Sequence, residues 1–99
     1  MSVKMHNSGD RLIIFLSGEI DHHSAAEMRF FIDGELERST PPVVVFDFSG
    51  VEFMDSSGIG LVMGRLRVIS GWGAKAVIEN PRPAIRKMLK LAGLEKLIG

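Results

Sequence analysis

The strongest constraint on the fold is a short run of β-branched and aromatic residues, Val43–Phe46, that lies between two segments of helical periodicity. All four side chains are apolar, which is typical of a strand covered by other elements on both faces. Helical segments on either side of such a strand predict β-α units, whose parallel strands are joined by right-handed crossovers. The sequence therefore predicts an α/β fold built on a mostly parallel sheet.

An N-terminal hairpin is predicted to precede these β-α units. Val3 and Met5 alternate with polar residues, Asn7–Asp10 has turn chemistry, and Leu12–Leu16 is an apolar run of strand length. Another short strand is predicted at Ala74–Ile78. The expected order is β-β-α-β-α-β-α, which gives a mixed, mostly parallel sheet of about four to five strands with three or more helices.

Each predicted helix has start and stop signals. The first follows a capping box at Ser24–Glu27 and ends before Pro41 and Pro42. The second runs from about Ser57 to Ile69 and is closed by Gly71–Gly73. The third is capped by Asn80, with Pro81 at its first position, and ends at Gly93. The apolar stripes predicted to be buried are Met28, Phe31, Ile32 and Leu36; Ile59, Val62, Met63, Leu66 and Ile69; and Ile85, Met88, Leu89 and Ala92.

Composition excludes several classes of function. With 99 residues we expect one domain over residues 1–99, and 12 basic against 12 acidic side chains argue against direct nucleic-acid binding. The absence of cysteine excludes a disulfide scaffold, a thiol nucleophile and a cysteine zinc site. No apolar run reaches the roughly 18 residues of a membrane span, and Met1–His6 lacks the character of a signal peptide. We therefore expect a cytoplasmic protein without a membrane span.

Two other features have ordinary explanations. Arg82–Lys90 carries four positive charges and no negative one, which we interpret as the solvated face of the last helix rather than a binding patch. Trp72 lies between two glycines, and we expect it to cover the core rather than to anchor a partner.

Parallel topology predicts where a functional site lies. In such sheets the functional loops gather at the carboxyl ends of the strands. Here these loops are Ser17–His23, Ser49–Ser57 and Glu79–Pro81. We therefore expect Asp21 to lie close to Ser56.

The segment from Asp55 to Gly60, Asp-Ser-Ser-Gly-Ile-Gly, lies where a strand turns into a helix. Helix capping accounts for the aspartate and the serines. It accounts less well for Gly58, Gly60 and Gly64, because each glycine inside a helix costs about 0.8–1.0 kcal/mol relative to alanine. Glycines at a helix start allow close approach of another backbone or of a phosphate. From the residues alone, a structural and a functional role stay equally open.

Catalytic and metal sites are poorly supported. Neither Ser56 nor Ser57 has glycine two residues away on both sides, as a nucleophile elbow requires, and no lysine follows the glycines to complete a P-loop. His22 and His23 lie beside acidic residues, but adjacent side chains point in different directions and seldom chelate together. We predict that the chain is not an enzyme and that it holds no metal or cofactor.

Two motifs carry a family resemblance. Gly18–Ser24, Gly-Glu-Ile-Asp-His-His-Ser, and Phe53–Gly60, Phe-Met-Asp-Ser-Ser-Gly-Ile-Gly, together resemble the STAS-domain anti-sigma factor antagonists, in particular the sporulation stage II AA type. The resemblance includes Ala92–Leu94 and covers nearly the whole chain. Two motifs at this separation are far more specific than the Asp-Ser-Ser-Gly string alone.

The resemblance implies a protein without catalysis of its own. Its unphosphorylated form would bind an anti-sigma factor that is also a serine kinase of the GHKL type, and so release a sigma factor to activate transcription. The kinase would phosphorylate Ser56, which follows the motif aspartate, and a serine phosphatase would reverse this. The partner-binding residues expected on this basis are Glu19, Asp21, His22, Asp55, Ser56, Ser57, Gly58 and Gly60.

Two alternatives remain open at this point. A STAS module can also be a non-catalytic subunit of a lipid-transport or stressosome-like assembly, with the same fold and no dedicated kinase. The glycine-rich helix start is also compatible with a small phosphate- or nucleotide-binding module.

Overall fold

The computed structural model describes residues 3–99, so the Met1 and Ser2 part of the predicted N-terminal segment lies outside the described residues. Over residues 3–99 the chain forms four strands, three α-helices and a final 3₁₀ turn. In chain order these are β1 (Val3–Asn7), β2 (Leu12–Ile20), α1 (His22–Ser39), β3 (Val43–Met54), α2 (Ser56–Ser70), β4 (Lys75–Glu79), α3 (Pro83–Leu91) and the 3₁₀ turn Glu95–Leu97.

The sheet has the order β1-β2-β3-β4. β1 pairs antiparallel with β2, and β2, β3 and β4 run parallel to one another. The hairpin turn is held by the Gly9 amide, which donates to the Asn7 side chain at 2.9 Å, and Gly9 has a φ of +90°. The predicted α/β class, N-terminal hairpin and mixed, mostly parallel sheet are confirmed.

Both crossover helices lie on one face of this sheet. The β2-α1-β3 and β3-α2-β4 connections step in the same direction, and right-handed crossovers then place α1 and α2 side by side. Alternate β2 residues, Leu12, Ile14 and Leu16, are buried in the core cluster. Within the run predicted to be covered on both faces, Val44–Phe46 is buried and Val43 half-buried, and burial of β3 continues through Asp47 to Phe48.

The two long strands leave almost no loop before the helices. The predicted loop over residues 17–23 is wrong, because β2 continues to Ile20 and only Asp21 precedes α1. The predicted loop over residues 49–57 is also wrong, because only Asp55 separates β3 from α2. The β2-β3 ladder persists through two register shifts, and Gly18, with a φ of +79°, allows one of these irregularities.

Two predicted helix caps are wrong. In α1 the N-cap is Asp21, and its capping box is formed with Ser24 rather than between Ser24 and Glu27. The α3 helix begins at Pro83, two residues later than predicted, because Asn80 takes a left-handed conformation with a φ of +57°. The Asn80 side-chain Nδ2 donates to the Asp47 carboxylate at 3.2 Å instead of the side chain capping the helix.

The predicted stripes contain two errors. Phe31 is 44% exposed and Met63 39% exposed, whereas Ala25, Leu61 and Arg65 are buried. The buried face of α1 is formed by residues 25, 28, 32 and 36, and Phe31 lies outside this face. Its ring instead packs edge-to-face on Phe30, with ring centroids 5.4 Å apart. The other predicted stripe residues are buried or half-buried.

Trp72 covers the core as predicted, whereas the interpretation of the basic segment as a solvated face stays a prediction. Trp72 is half-buried against the core, and its indole N–H donates to the Pro41 carbonyl at 2.9 Å. The basic segment has four cationic side chains, all exposed: Arg82, Arg86, Lys87 and Lys90. Among residues 3–99, no helix combines the length and apolar character needed to cross a bilayer.

Candidate functional site

Two helices begin next to each other at one edge of the sheet. The last residues of β2 and β3, Ile20 and Met54, are paired in register, and the Asp55 amide donates to the Ile20 carbonyl at 3.1 Å. Asp21 and Asp55 follow these strand ends directly and serve as the N-caps of α1 and α2. The structure thus brings the two sequence motifs together, as parallel topology predicts.

The Asp21 carboxylate is fixed by a reciprocal capping box. It accepts the Ser24 amide at 2.8 Å, while the Ser24 hydroxyl accepts the Asp21 amide at 2.9 Å and donates to the Glu19 carbonyl at 3.0 Å. The hydrogen bond from the Ser24 backbone is the main cause that lowers the pKa of Asp21, and the Ser24 hydroxyl adds to it. The Asp21 side chain is therefore an exposed carboxylate that is ionised at neutral pH and fixed in orientation by Ser24.

Ser56 is the exposed first residue of α2. Asp55 caps this helix by accepting the Ser57 amide at 2.8 Å, and Ser57 is half-buried. No hydrogen bond involves the Ser56 hydroxyl within the described part of the chain. Its Oγ is thus free to react, and the N-terminal end of the helix dipole favours negative charge at this position.

The three glycines of α2 have different roles. A Cβ on Gly58 would collide with the Met54 thioether and force this buried side chain to move, so the glycine lets α2 pack closely on the end of β3. A Cβ on Gly60 or Gly64 would meet no atom within 4 Å. Internal packing therefore explains Gly58 and leaves Gly60 and Gly64 unexplained.

The remaining predicted residues lie around the same edge. Glu19 is exposed on β2 and lies opposite Phe53 of β3, and His22 is the exposed first residue of α1. His23 faces Glu27 at 3.4 Å on the surface. In the described residues no group of three or more histidine and acidic side chains is arranged to hold a metal ion.

The sequence interpretation missed a buried ion pair between the two helices. Arg65 of α2 places Nε 2.7 Å from Oδ1 of Asp33 on α1, and its residue surface is only 4% exposed. Burial lowers the pKa of Arg65, and the Asp33 charge opposes this effect. The signal was present in the helical spacing, because position 65 lies on the buried stripe between Leu61 and Ile69.

Comparison with known proteins agrees with this architecture. The STAS domain model matches residues 2–99. An anti-sigma F factor antagonist of Lysinibacillus sphaericus is 35% identical over 85 residues, which cover 86% of this chain and 73% of that protein.

Two solved structures are similar over nearly the whole chain. The anti-sigma factor antagonist SpoIIAA in its unphosphorylated form superposes with a TM-score of 0.89 at 30% identity, covering 98% of this chain and 85% of SpoIIAA. The Bacillus cell fate determinant SpoIIAA in its phosphorylated form gives a TM-score of 0.81 at 30% identity, covering 98% and 88%. The resemblance stated from the two motifs is confirmed, and the chain belongs to the STAS domain family.

Proposed function

We propose that this chain is an anti-sigma factor antagonist whose unphosphorylated form binds an anti-sigma factor and so releases a sigma factor to activate transcription. Relatives that carry this description span most of the chain. The observation that carries the proposal is Ser56, an exposed serine with an unbonded hydroxyl, placed directly after the N-cap Asp55 at the edge shared with Asp21.

The switch is phosphorylation of Ser56. The anti-sigma factor acts as a serine kinase of the GHKL type and a serine phosphatase restores the hydroxyl, so this chain is substrate and regulator rather than enzyme. A solved structure of phosphorylated SpoIIAA supports the idea that this fold accommodates the modification. The added phosphate brings about −1.5 to −2 charges to an edge that already holds the Asp21 and Asp55 carboxylates.

The partner surface is formed by the two helix starts and the strand end between them. Exposed groups able to contact the partner are Glu19, Asp21, His22, Ser56 and Gly60, with Asp55 and Ser57 half-buried behind them. Gly58 is buried on Met54, so its part in the surface is to hold the start of α2 against β3. A neutral hydroxyl among carboxylates fits a basic partner surface, and a phosphate there changes both charge and size.

Phosphopeptide mapping after incubation with the cognate anti-sigma factor and ATP tests this proposal. We expect one phosphate on Ser56, its complete loss in Ser56→Ala, and normal modification in the matched control Ser57→Ala. Modification that is confined to Ser57, or that survives in Ser56→Ala, would overturn the assignment.

A further inference from the structure

A groove of about 550 Å³ runs between α1 and α2, starting at the site edge and following both helices away from it. We call it the α1/α2 groove. Its α1 wall includes His22, Ala26 and Arg29, and its α2 wall includes Ser57, Gly60 and Gly64. On each helix these residues are spaced three or four positions apart, so each set forms one continuous face.

The glycines of this groove are not explained by the chain itself. Gly60 and Gly64 lie inside α2, where glycine lowers helix stability relative to alanine, and both open onto empty space. They are four residues apart and so lie one above the other on the same face. Absence of side chains at both positions leaves room for another backbone to approach α2 closely.

A buried arginine with few partners lines the same groove. The Nε of Arg65 faces the Asp33 carboxylate at 2.7 Å, and its Nη1 donates a long bond of 3.5 Å to the Leu61 carbonyl. A guanidinium has five N–H donors. Only two of its nitrogens face Asp33 and Leu61, so the guanidinium retains N–H groups that can donate to a further carboxylate entering the groove.

The charge of the groove has one sign. Arg29 and Arg67 are exposed cations on its two walls, and no acidic side chain lines it within residues 3–99. Asp33 contacts both Arg29, at 3.6 Å, and Arg65, and thus offsets part of this charge from outside the lining. The site edge above the groove is acidic, so the two neighbouring surfaces differ in sign.

We propose that the α1/α2 groove receives an acidic helix of the anti-sigma factor, packed closely against α2 at Gly60 and Gly64 with its carboxylates toward Arg29, Arg65 and Arg67. This rests on the proposed function for the identity of the partner, and it extends the partner surface from His22, Ser57 and Gly60 at the Ser56 edge along the groove to Arg29, Gly64 and Arg67. A helix fits because paired glycines four residues apart match the ridges-into-grooves spacing of helix packing.

Filling the groove tests the proposal. Gly64→Gln places a long neutral side chain in the space reserved for the helix, and we expect at least a tenfold loss of affinity for the anti-sigma factor by calorimetry. Its melting temperature should equal or exceed that of the wild type, because glutamine is the better helix former. Gly34→Gln is the matched control, since Gly34 is inside α1, outside the groove, and equally open.

Charge reversal supplies a second arm. Arg67→Glu should weaken binding about tenfold at low salt and less at high salt, whereas Lys87→Glu on α3 should leave affinity unchanged. If both Gly64→Gln and Arg67→Glu bind the anti-sigma factor with wild-type affinity, the α1/α2 groove is not a binding site for it, and the proposed function stands unchanged. Failure of the wild-type chain to bind any anti-sigma factor would overturn the proposed function and the assigned occupant together. Self-association of the wild type that Gly64→Gln abolishes would assign the groove to a second copy and overturn the proposal.

Discussion

At the scale of single residues, the most informative buried acid is Asp47 of β3. It accepts the Ser49 amide at 2.9 Å, the Ser49 hydroxyl at 2.6 Å and the Asn80 side chain. Burial alone would raise the pKa of Asp47, but the hydrogen bonds from Ser49 and Asn80 outweigh it and the pKa lies below its usual value. Asp47 thus ties the turn after β4 to the central strand.

Asp47→Asn should destabilise the protein at neutral pH by about 1–3 kcal/mol, because a charged acceptor of several hydrogen bonds is replaced by a neutral amide. Because the pKa of Asp47 is lower in the folded state, its ionised carboxylate stabilises the fold fully above the unfolded-state pKa of about 3.9. This stabilisation is lost as the pH falls through the folded-state pKa. Urea unfolding at pH 7 and at about pH 3 should therefore show a gap between wild type and variant that shrinks in acid.

Asp10→Asn is the control for this measurement, because Asp10 is an exposed acid in the hairpin turn. It should stay within about 0.5 kcal/mol of wild type, as surface substitutions usually do. A gap for Asp47→Asn that is equally large at both pH values would contradict the role assigned to its ionised carboxylate.

Sequence patterns predicted some residues well and others poorly. Asp55 and Ser56 could be placed at a helix start because capping chemistry is local and needs only the neighbouring residues. Helical spacing places Arg65 on the buried stripe of α2, but its pairing with Asp33 and the conformation of Asn80 beside Asp47 could not be predicted, because these partners are distant in the chain. Local rules predict caps, whereas buried polar pairs are set by tertiary contacts.

At the scale of elements, the order of strands and helices was predictable and their boundaries were less so. Apolar periodicity defined every strand and helix, but it did not show that β2 and β3 extend across polar residues to Ile20 and Met54. Pairing with a neighbouring strand satisfies the backbone of Ser17–Glu19 whatever its side chains are, so hydropathy alone ended β2 too early. Because β2 and β3 are longer than predicted, only the capping residues Asp21 and Asp55 separate them from the helices that follow.

The capping role of Asp21 gives an element-scale prediction. Asp21→Ala removes the capping box of α1 and should cost about 0.5–2 kcal/mol, whereas Asp21→Asn retains a good N-cap and should cost little. Both variants lose the negative charge beside Ser56, so we expect both to be phosphorylated more slowly by the anti-sigma factor. Thermal unfolding measured together with initial rates of phosphorylation separates the two effects.

The two Asp21 variants distinguish recognition of the carboxylate charge by the kinase from the structural role of Asp21 in capping α1. If Asp21→Asn is phosphorylated at the wild-type rate while Asp21→Ala is slow, then Asp21 acts only by holding the start of α1. Equal slowing in both variants, despite their different stabilities, supports direct recognition of the carboxylate.

At the scale of the whole molecule, the location of the site follows from topology. Parallel strands β2 and β3 must end at the same edge, and the helices that follow them must begin there. Topology alone therefore predicts that two motifs distant in sequence meet. The α1/α2 groove could not be expected, because it depends on how far apart the two helix faces lie.

The last prediction is that phosphorylation of Ser56 changes partner binding without refolding the domain. The helix N-terminus stabilises the phosphate by roughly 0.3–1 kcal/mol. Repulsion from a carboxylate 4 Å away would cost about 1 kcal/mol in water and about 4 kcal/mol near a protein surface. Ser56 is exposed and its hydroxyl supports no internal hydrogen bond among residues 3–99, so these opposing effects stay at the surface. Amide NMR spectra should therefore change around the starts of α1 and α2 and not in β4.

In a complex the same phosphate must be desolvated against a surface shaped for a neutral hydroxyl, and a loss of about 1.4 kcal/mol already weakens binding tenfold. Ser56→Asp should bind the anti-sigma factor at least tenfold more weakly than wild type, while Ser56→Ala, which keeps the site neutral, should still bind. Chemical-shift changes throughout the sheet on phosphorylation would show that the domain itself rearranges. Equal affinity of the phosphorylated and unmodified proteins would show that the switch lies elsewhere, because a charge of this size cannot be buried in an unchanged interface without cost.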